Sequence, residues 1–159
     1  MDLKEHLLLC LIEECGEVKD ILYLEPDNDK ELEHELNDII SVAHLLHDND
    51  FVTVNLNPIK KNPSQKYKTG VLHRDIFFYI NEIHYFACKA GRFGLQHRKP
   101  NNSSRTNKQE IEFFLEELIT LLKSDDCYLN LWDRDRLKIK EHKVVAHYKL
   151  AIENNTLKV

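Results

Sequence analysis

Two stretches decide the fold of this chain: LLLCLIEECGEV at residues 7–18 and ELNDIISVAHLL at residues 35–46. Both carry apolar residues at the three- and four-residue spacing of an amphipathic helix. Both also carry acids where the helical period turns side chains inward. The pattern therefore predicts two helices with carboxylates on their buried sides.

The two stretches repeat one design. On a helical wheel, Glu14 falls inside the apolar stripe of the first helix, and Glu17 falls at its edge. In the second helix Glu35 falls inside the stripe and Asp38 at its edge. Two antiparallel helices that join their stripes would bring these four acids together.

Converging carboxylates repel each other unless cations lie between them, and a lone buried carboxylate usually becomes protonated. Hard divalent cations prefer oxygen ligands, and Mg²⁺ commonly binds carboxylates together with substrate phosphates. We therefore predict a metal site at these acids. Solvated acids on amphipathic helices are the alternative, but that reading leaves the inward positions of Glu14 and Glu35 unexplained.

The composition limits the classes of protein to consider. The chain has 159 residues, a net charge of −5, and only four glycines and four prolines. This favours a single helical domain, and the charge argues against a dedicated nucleic-acid binder. No apolar run is long enough to span a bilayer. The N-terminus lacks the features of a signal peptide. The four cysteines form no CxxC pair, which is typical of reduced thiols in a cytoplasmic protein.

The remaining pattern predicts an all-α fold, in which two helical hairpins form a four-helix core and a C-terminal helix follows. A long connector covers most of residues 51–72, although residues 51–54 could form a short strand. A polar loop is expected between residues 99 and 107. The helices are expected at about residues 2–24, 29–47, 73 or 75 to 90, 108–122 and 134–153. The order of elements suggests two halves, 1–70 and 71–159, of one domain spanning residues 1–159, as in an internal duplication.

The acidic spacing resembles a known family. The run Glu13-Glu14-Cys15-Gly16-Glu17, followed by Glu35-Leu36-Asn37-Asp38, resembles the EExxE…ExxD motif of the all-α nucleotide pyrophosphatases. This superfamily includes the MazG-like enzymes and the dimeric dUTPases. The match covers about residues 7–46 closely.

The resemblance implies a MazG-like four-helix bundle that forms a dimer or a higher homo-oligomer. It implies Mg²⁺-dependent hydrolysis, with Mn²⁺ as a substitute, of a nucleoside triphosphate to the monophosphate and pyrophosphate. Glu14, Glu17, Glu35 and Asp38 match the family's metal ligands. Glu13 matches the first acid of the motif, and we expect it to share in coordination or to accept a proton from the attacking water. If the chain is phage-encoded, the cytoplasm is that of the host cell.

The second half resembles a degenerate copy of the first. Residues 89–95 are similar to a KAxRFGL segment that many phage MazG-like proteins carry, where it directly follows the EExxE helix. Here the preceding helix keeps at best the acid of Glu82. In the later helix, Phe113 or Thr120 stands where the Asp of ExxD is expected. We expect this half to lack a metal site and to support the first half.

Cations should accompany a triphosphate, because Lys and Arg neutralise phosphate oxygens. Lys89 and Arg92 in the second half are candidates for substrate binding. Lys140 and Lys143 form a KxxK pair on the last helix, similar to the C-terminal helix of relatives. A solvated basic face remains an alternative reading of both pairs.

The sequence also offers two alternative functions. Glu31 and His34 form an ExxH, but a ferritin-like di-iron site needs a second ExxH, and the sequence has none. The alternative to an enzyme is a catalytically silent helical module that binds nucleotides or other proteins on the same fold. An intact set of four acids favours the enzyme, because a pure binder would not need four ligands.

Overall fold

Five helices make up the protein in a computed structural model that describes residues 2–58, 69–98, 105–124, 127, 129 and 134–154. They are α1 (Leu3–Leu24), α2 (Asp29–Asp48), α3 (Thr69–Phe93), α4 (Asn107–Leu122) and α5 (Arg134–Glu153). No strand occurs in these residues, so the expected all-α class is confirmed. None of the described helices is long and apolar enough to cross a membrane.

Side chains at the helix starts explain several of the observed boundaries. The Asp2 side chain accepts a hydrogen bond from the Glu5 amide, and Asn28 caps α2 in the same way. Thr106 and Gln109 form a reciprocal capping box at the start of α4. Such caps satisfy amides that would otherwise lack partners in the first turn. The polar residues that break the hydrophobic pattern therefore also fix where the helices begin.

The first four helices pack mainly against neighbours in the chain, whereas α5 packs against helices far from it in sequence. α1 packs against both α2 and α3, and α3 packs against α4. α5 returns to the first pair and packs against α2, with a smaller contact to α1. α2 therefore has neighbours on two sides, and every residue from Leu36 to Ala43 is buried. One hydrophobic cluster draws on all five helices.

The start of the connector is extended but pairs with no strand in the described region. Val52 and Val54 are buried, whereas Thr53 and Asn55 are exposed. The Thr53 amide donates a hydrogen bond to Glu112 of α4, and the Asn55 amide donates one to Glu116. The alternation that resembled a strand is thus an extended segment held on α4 by side-chain carboxylates.

α3 is longer than the sequence indicated. It begins at Thr69 rather than near His73 or Asp75, and it ends at Phe93 rather than near Ala90. Leu72 is fully buried at the start of a stripe that continues through Ile76 and Ile80, so burial extends the helix toward its N-terminus. Residues 59–68 of the expected connector and residues 99–104 of the expected polar loop lie outside the described residues.

Candidate metal centre

Four carboxylates meet between α1 and α2. α1 contributes Glu14 and Glu17, and α2 contributes Glu35 and Asp38. One ligand oxygen from each residue lies within 4.8 Å of the corresponding oxygens of the other three. The three-residue spacing places each pair on one side of its helix, and the short link between the helices makes them antiparallel. The structure thus brings together the four acids that the sequence predicted would meet.

The cluster is partly shielded from solvent, with Glu17 and Glu35 half-buried, and its polar atoms are not all hydrogen-bonded. Glu14 is 5% exposed and Asp38 is 6% exposed. The Oε2 atoms of Glu14 and Glu35 are buried without a hydrogen-bond partner. A buried polar atom without a partner destabilises the folded state by roughly 1–3 kcal/mol, and a charged one by more. The unpaired oxygens fit a site that accepts a cation, because a metal ion would satisfy both.

Lys140 of α5 is a cation in direct contact with the cluster. Its Nζ donates a hydrogen bond to Oε1 of Glu14 at 2.8 Å and lies 3.7 Å from Oδ2 of Asp38. The lysine side chain is 22% exposed. An ion pair this shielded is screened less by solvent and salt than a surface pair. One positive charge therefore partly offsets four carboxyl groups.

Burial shifts the ionisation of the acids. It raises the pKa of Glu14 to about 7, although the hydrogen bond from Lys140 opposes the rise. Burial also raises the pKa of Glu35, to about 9, and a hydrogen bond shared with Glu17 adds to the rise. The same hydrogen bond lowers the pKa of Glu17, which takes the ionised role in the pair. The metal-free cluster therefore holds protons near neutral pH.

The same environment acts on Asp38 and Lys140. Burial raises the pKa of Asp38, while the charge of Lys140 opposes that change. Burial alone would lower the pKa of Lys140, but its hydrogen bond to Glu14 and the charge of Asp38 outweigh burial and raise it. Lys140 is consequently a cation throughout the neutral range.

A cavity of about 440 Å³ opens beside Asp38, between α2 and α5. Three cations line it from one side of α5, at positions 136, 140 and 143. This i, i+4, i+7 spacing keeps all three on one helix face. The lining residues are His34, Asp38, Asp135, Arg136, Ile139, Lys140 and Lys143. The cavity thus places Asp38 of the cluster beside three cations of α5, with Asp135 also on the α5 side.

The other sequence-predicted residues lie elsewhere. Glu13 is exposed and outside the group of four acids; its charge acts on Cys10, where burial is the main cause of a pKa raised to about 11. Lys89 lies over the rings of Tyr85 and Phe93 on α3.

Arg92 also lies over the Phe93 ring, on an exposed part of α3. The described contacts of Lys89 and Arg92 are thus with aromatic rings, whereas those of Lys140 are with the acids. Substrate binding by Lys89 and Arg92, and proton transfer by Glu13, stay predictions.

Sequence reasoning missed two members of the site. The ExxH spacing of His34 does not point to this site, yet Nε2 of His34 lies 3.7 Å from Oδ2 of Asp38, one turn along α2. Its i, i+4 spacing to Asp38 was the available indication. Arg136 lines the cavity four residues before Lys140. Its position in the chain does not single it out, because only the packing of α5 on α2 brings it there.

The donor set suits a hard divalent cation. Glu14, Glu17, Glu35 and Asp38 offer only oxygen ligands, and two of their buried oxygens have no other partner. His34, Glu35 and Asp38 form a second, overlapping group with ligand spacing. A metal ion held here would have the cationic cavity directly beside it. Comparisons of the chain with protein families, with curated proteins and with solved structures found no match.

Proposed function

We propose that the protein is a Mg²⁺-dependent nucleoside triphosphate pyrophosphohydrolase that converts a (d)NTP to the (d)NMP and pyrophosphate. The observation that supports this most directly is the buried four-carboxylate cluster, in which Glu14 has one oxygen without a partner. A cluster of this kind is unfavourable unless it binds cations. The adjacent cavity, lined by three cations of α5, suits a polyanionic substrate.

The roles of the residues follow from their positions. Glu14, Glu17, Glu35 and Asp38 would hold Mg²⁺, or Mn²⁺ in its place. When bound, such an ion would polarise the phosphate oxygens and acidify a bound water. Lys140 and Lys143 would bind the phosphate chain at the α5 side of the cavity. Their fixed positive charges would stabilise the negative charge that develops as the bond between the α and β phosphates breaks.

We also propose that the helices form a MazG-like fold. The pairs α1–α2 and α3–α4 would be the two hairpins of the four-helix bundle, and they meet through the contact of α1 with α3. The second half would be a degenerate copy without its own metal site, because Phe113 and Thr120 offer no carboxylate. We further propose a homo-oligomer in the cytoplasm, and the four free cysteines fit that reducing location.

A substrate panel tests the proposal. Ribo- and deoxyribonucleoside triphosphates would be incubated with the protein and Mg²⁺, and the products would be separated into nucleotides, phosphate and pyrophosphate. We expect monophosphate and pyrophosphate in equal amounts from at least one substrate, and no reaction in EDTA. Release of phosphate alone, or a rate that EDTA leaves unchanged, would overturn the mechanism.

A matched pair of variants ties the activity to the cluster. Glu14→Gln should abolish turnover, whereas Asp20→Asn, which changes an exposed acid of the same helix, should not. The alternative function is a catalytically silent nucleotide-binding or protein-interaction module. Nucleotide binding without any turnover across the panel would support that alternative.

A further inference from the structure

Lys140 contacts two of the four carboxylates that would hold a metal ion. Its ammonium group donates to Oε1 of Glu14 at 2.8 Å and lies 3.7 Å from Oδ2 of Asp38. Both oxygens belong to carboxylates of the four-acid cluster. An ion that bound Oε1 of Glu14 at a typical distance of about 2.1 Å would lie within roughly 5 Å of the ammonium group. Two cations this close, in a site that excludes most water, repel each other.

The helix that carries Lys140 does not need to move for this repulsion to be relieved. Leu137 and Val144 of α5 are buried in the core, which keeps the helix docked. Lys140, in contrast, lines the cavity shared with Arg136 and Lys143. A long lysine side chain can turn from the cluster toward this cavity while its Cα stays in place.

We propose that Lys140 is the internal counter-cation of the empty cluster and that it exchanges partners during binding. When divalent cations occupy the acids, its ammonium group leaves Glu14 and Asp38 and binds the phosphate oxygens of the substrate in the cavity. The inference rests on the proposed function, because it concerns the same metal site and the same substrate. Lys140 thus has two partners one after the other, first a carboxylate and then a phosphate.

The exchange has a thermodynamic signature that a structural role would lack. Without nucleotide, Lys140 competes with the metal, so removing its charge should strengthen metal binding. With nucleotide present, Lys140 contributes an attractive contact, so removing its charge should weaken nucleotide binding. The two effects have opposite signs at a single residue. Metal and nucleotide must then bind cooperatively in the wild type, by reciprocity of their coupling.

Titration calorimetry with Mn²⁺ alone tests the first half of the exchange. We expect Lys140→Met to bind Mn²⁺ about tenfold more tightly than wild type, the scale that couplings between two binding events often reach. Lys140→Gln keeps a hydrogen-bond donor for Glu14 and removes only the charge, so it should show the same increase. Thermal unfolding of both variants checks that they are folded.

Two control lysines lie on the same helix. Lys138→Met changes an exposed residue outside the cavity lining and should leave Mn²⁺ binding unchanged. Lys143→Met changes a residue that lines the cavity and whose charge also acts on Asp38, so it should strengthen Mn²⁺ binding less than Lys140→Met does. Binding of a triphosphate with a methylene group between the α and β phosphates, in saturating Mn²⁺, should weaken in Lys140→Met and in Lys143→Met but not in Lys138→Met.

The outcomes separate this inference from the function it rests on. If the wild type binds no Mn²⁺, the proposed metal centre falls and the exchange falls with it. If the wild type binds Mn²⁺ but both Lys140 variants bind it equally well or more weakly, only the exchange is overturned. Tighter Mn²⁺ binding with unchanged binding of the methylene analogue would also overturn it, because Lys140 would then have no second partner.

Discussion

Lys140 and Glu14 are 126 positions apart in sequence, yet their Nζ and Oε1 atoms lie 2.8 Å from each other. This contact joins the last helix to the first at the acidic cluster. The four carboxylates come from one helical pair, whereas the cation that balances them comes from a helix outside that pair. The candidate site is therefore a product of tertiary packing as much as of the acidic motif.

Removing a single ligand charge should stop the reaction without unfolding the protein. We expect Glu14→Gln and Asp38→Asn each to lower kcat by more than about 100-fold, the usual scale for losing one electrostatic contribution to a transition state. Both changes relieve repulsion between carboxyl groups, and each leaves Lys140 the other acid as a partner, so the melting temperature in EDTA should stay the same or rise. A clear fall in melting temperature for both variants would contradict a shared cluster.

The metal-free protein should lose stability as the pH rises from 7 to 9. The pKa of Glu14 is raised from 4.5 to about 7 and that of Glu35 from 4.5 to about 9. The folded state therefore holds protons that the unfolded chain releases, and their contribution is complete below about pH 4.5 and lost through pH 7 and 9. Urea unfolding in EDTA should show the free energy of unfolding falling across this window.

The variant Glu35→Gln serves as the control for this pH effect, since it removes the group that titrates highest in the cluster. Its free energy of unfolding should depend less on pH between 7 and 9 than that of the wild type. Three histidines, His6, His44 and His84, have pKa values lowered by burial and affect the region below pH 6.5 instead. Stability that increased from pH 7 to 9 in EDTA would contradict the assignment.

Metal binding should release protons. Carboxylates bind metal ions in their ionised form, and Glu35 with a pKa of about 9 is mostly protonated at pH 7. Calorimetry of Mg²⁺ binding in two buffers of different ionisation enthalpy would measure the protons released. We expect a net release at pH 7 that declines toward pH 9.5, together with a rise in Mg²⁺ affinity. Equal heats in both buffers at pH 7 would contradict ligation by Glu35.

The two basic pairs should differ in their effect on substrate binding. Lys143 lines the cavity beside Asp38, whereas Arg92 is not among the residues that line this cavity and lies over the Phe93 ring. We expect Lys143→Ala to raise KM by about tenfold, the equivalent of 1.4 kcal/mol, and Arg92→Ala to raise it less. Steady-state kinetics at saturating Mg²⁺ would measure both. A larger effect from Arg92→Ala would restore the role that the sequence suggested for the second half.

The sequence predicts which side of each helix the acids face better than it predicts the residues that surround them. The helical phase of Glu14 and Glu35 is local information, so it predicts that they turn inward. The proximity of His34 to Asp38 is not predicted, because the phase of one helix cannot show what lies at the edge of the cluster. The wheel describes one helix, whereas the exposed fraction of a side chain depends on the neighbour that covers it.

The early start of α3 and the packing of α5 were not predicted for a similar reason. The bounds of α5 follow from sequence, but its return to α2 does not, and that return places Lys140, Lys143 and Arg136 beside the acids. The early start of α3 depends on the burial of Leu72. Both depend on contacts between residues distant in sequence, which periodicity does not encode.

The segment that follows α2 is bound to α4. The Thr53 amide donates a hydrogen bond to Glu112, and the Asn55 amide donates one to Glu116. Lys123 adds a third tie by donating to Asn57. The part of the chain up to residue 58 and the part from residue 69 onward are thus joined by these contacts and by the packing of α1 on α3, as well as by the covalent backbone. A chain cleaved between residues 58 and 69 should therefore remain one particle, and separately produced fragments should reassemble by complementation.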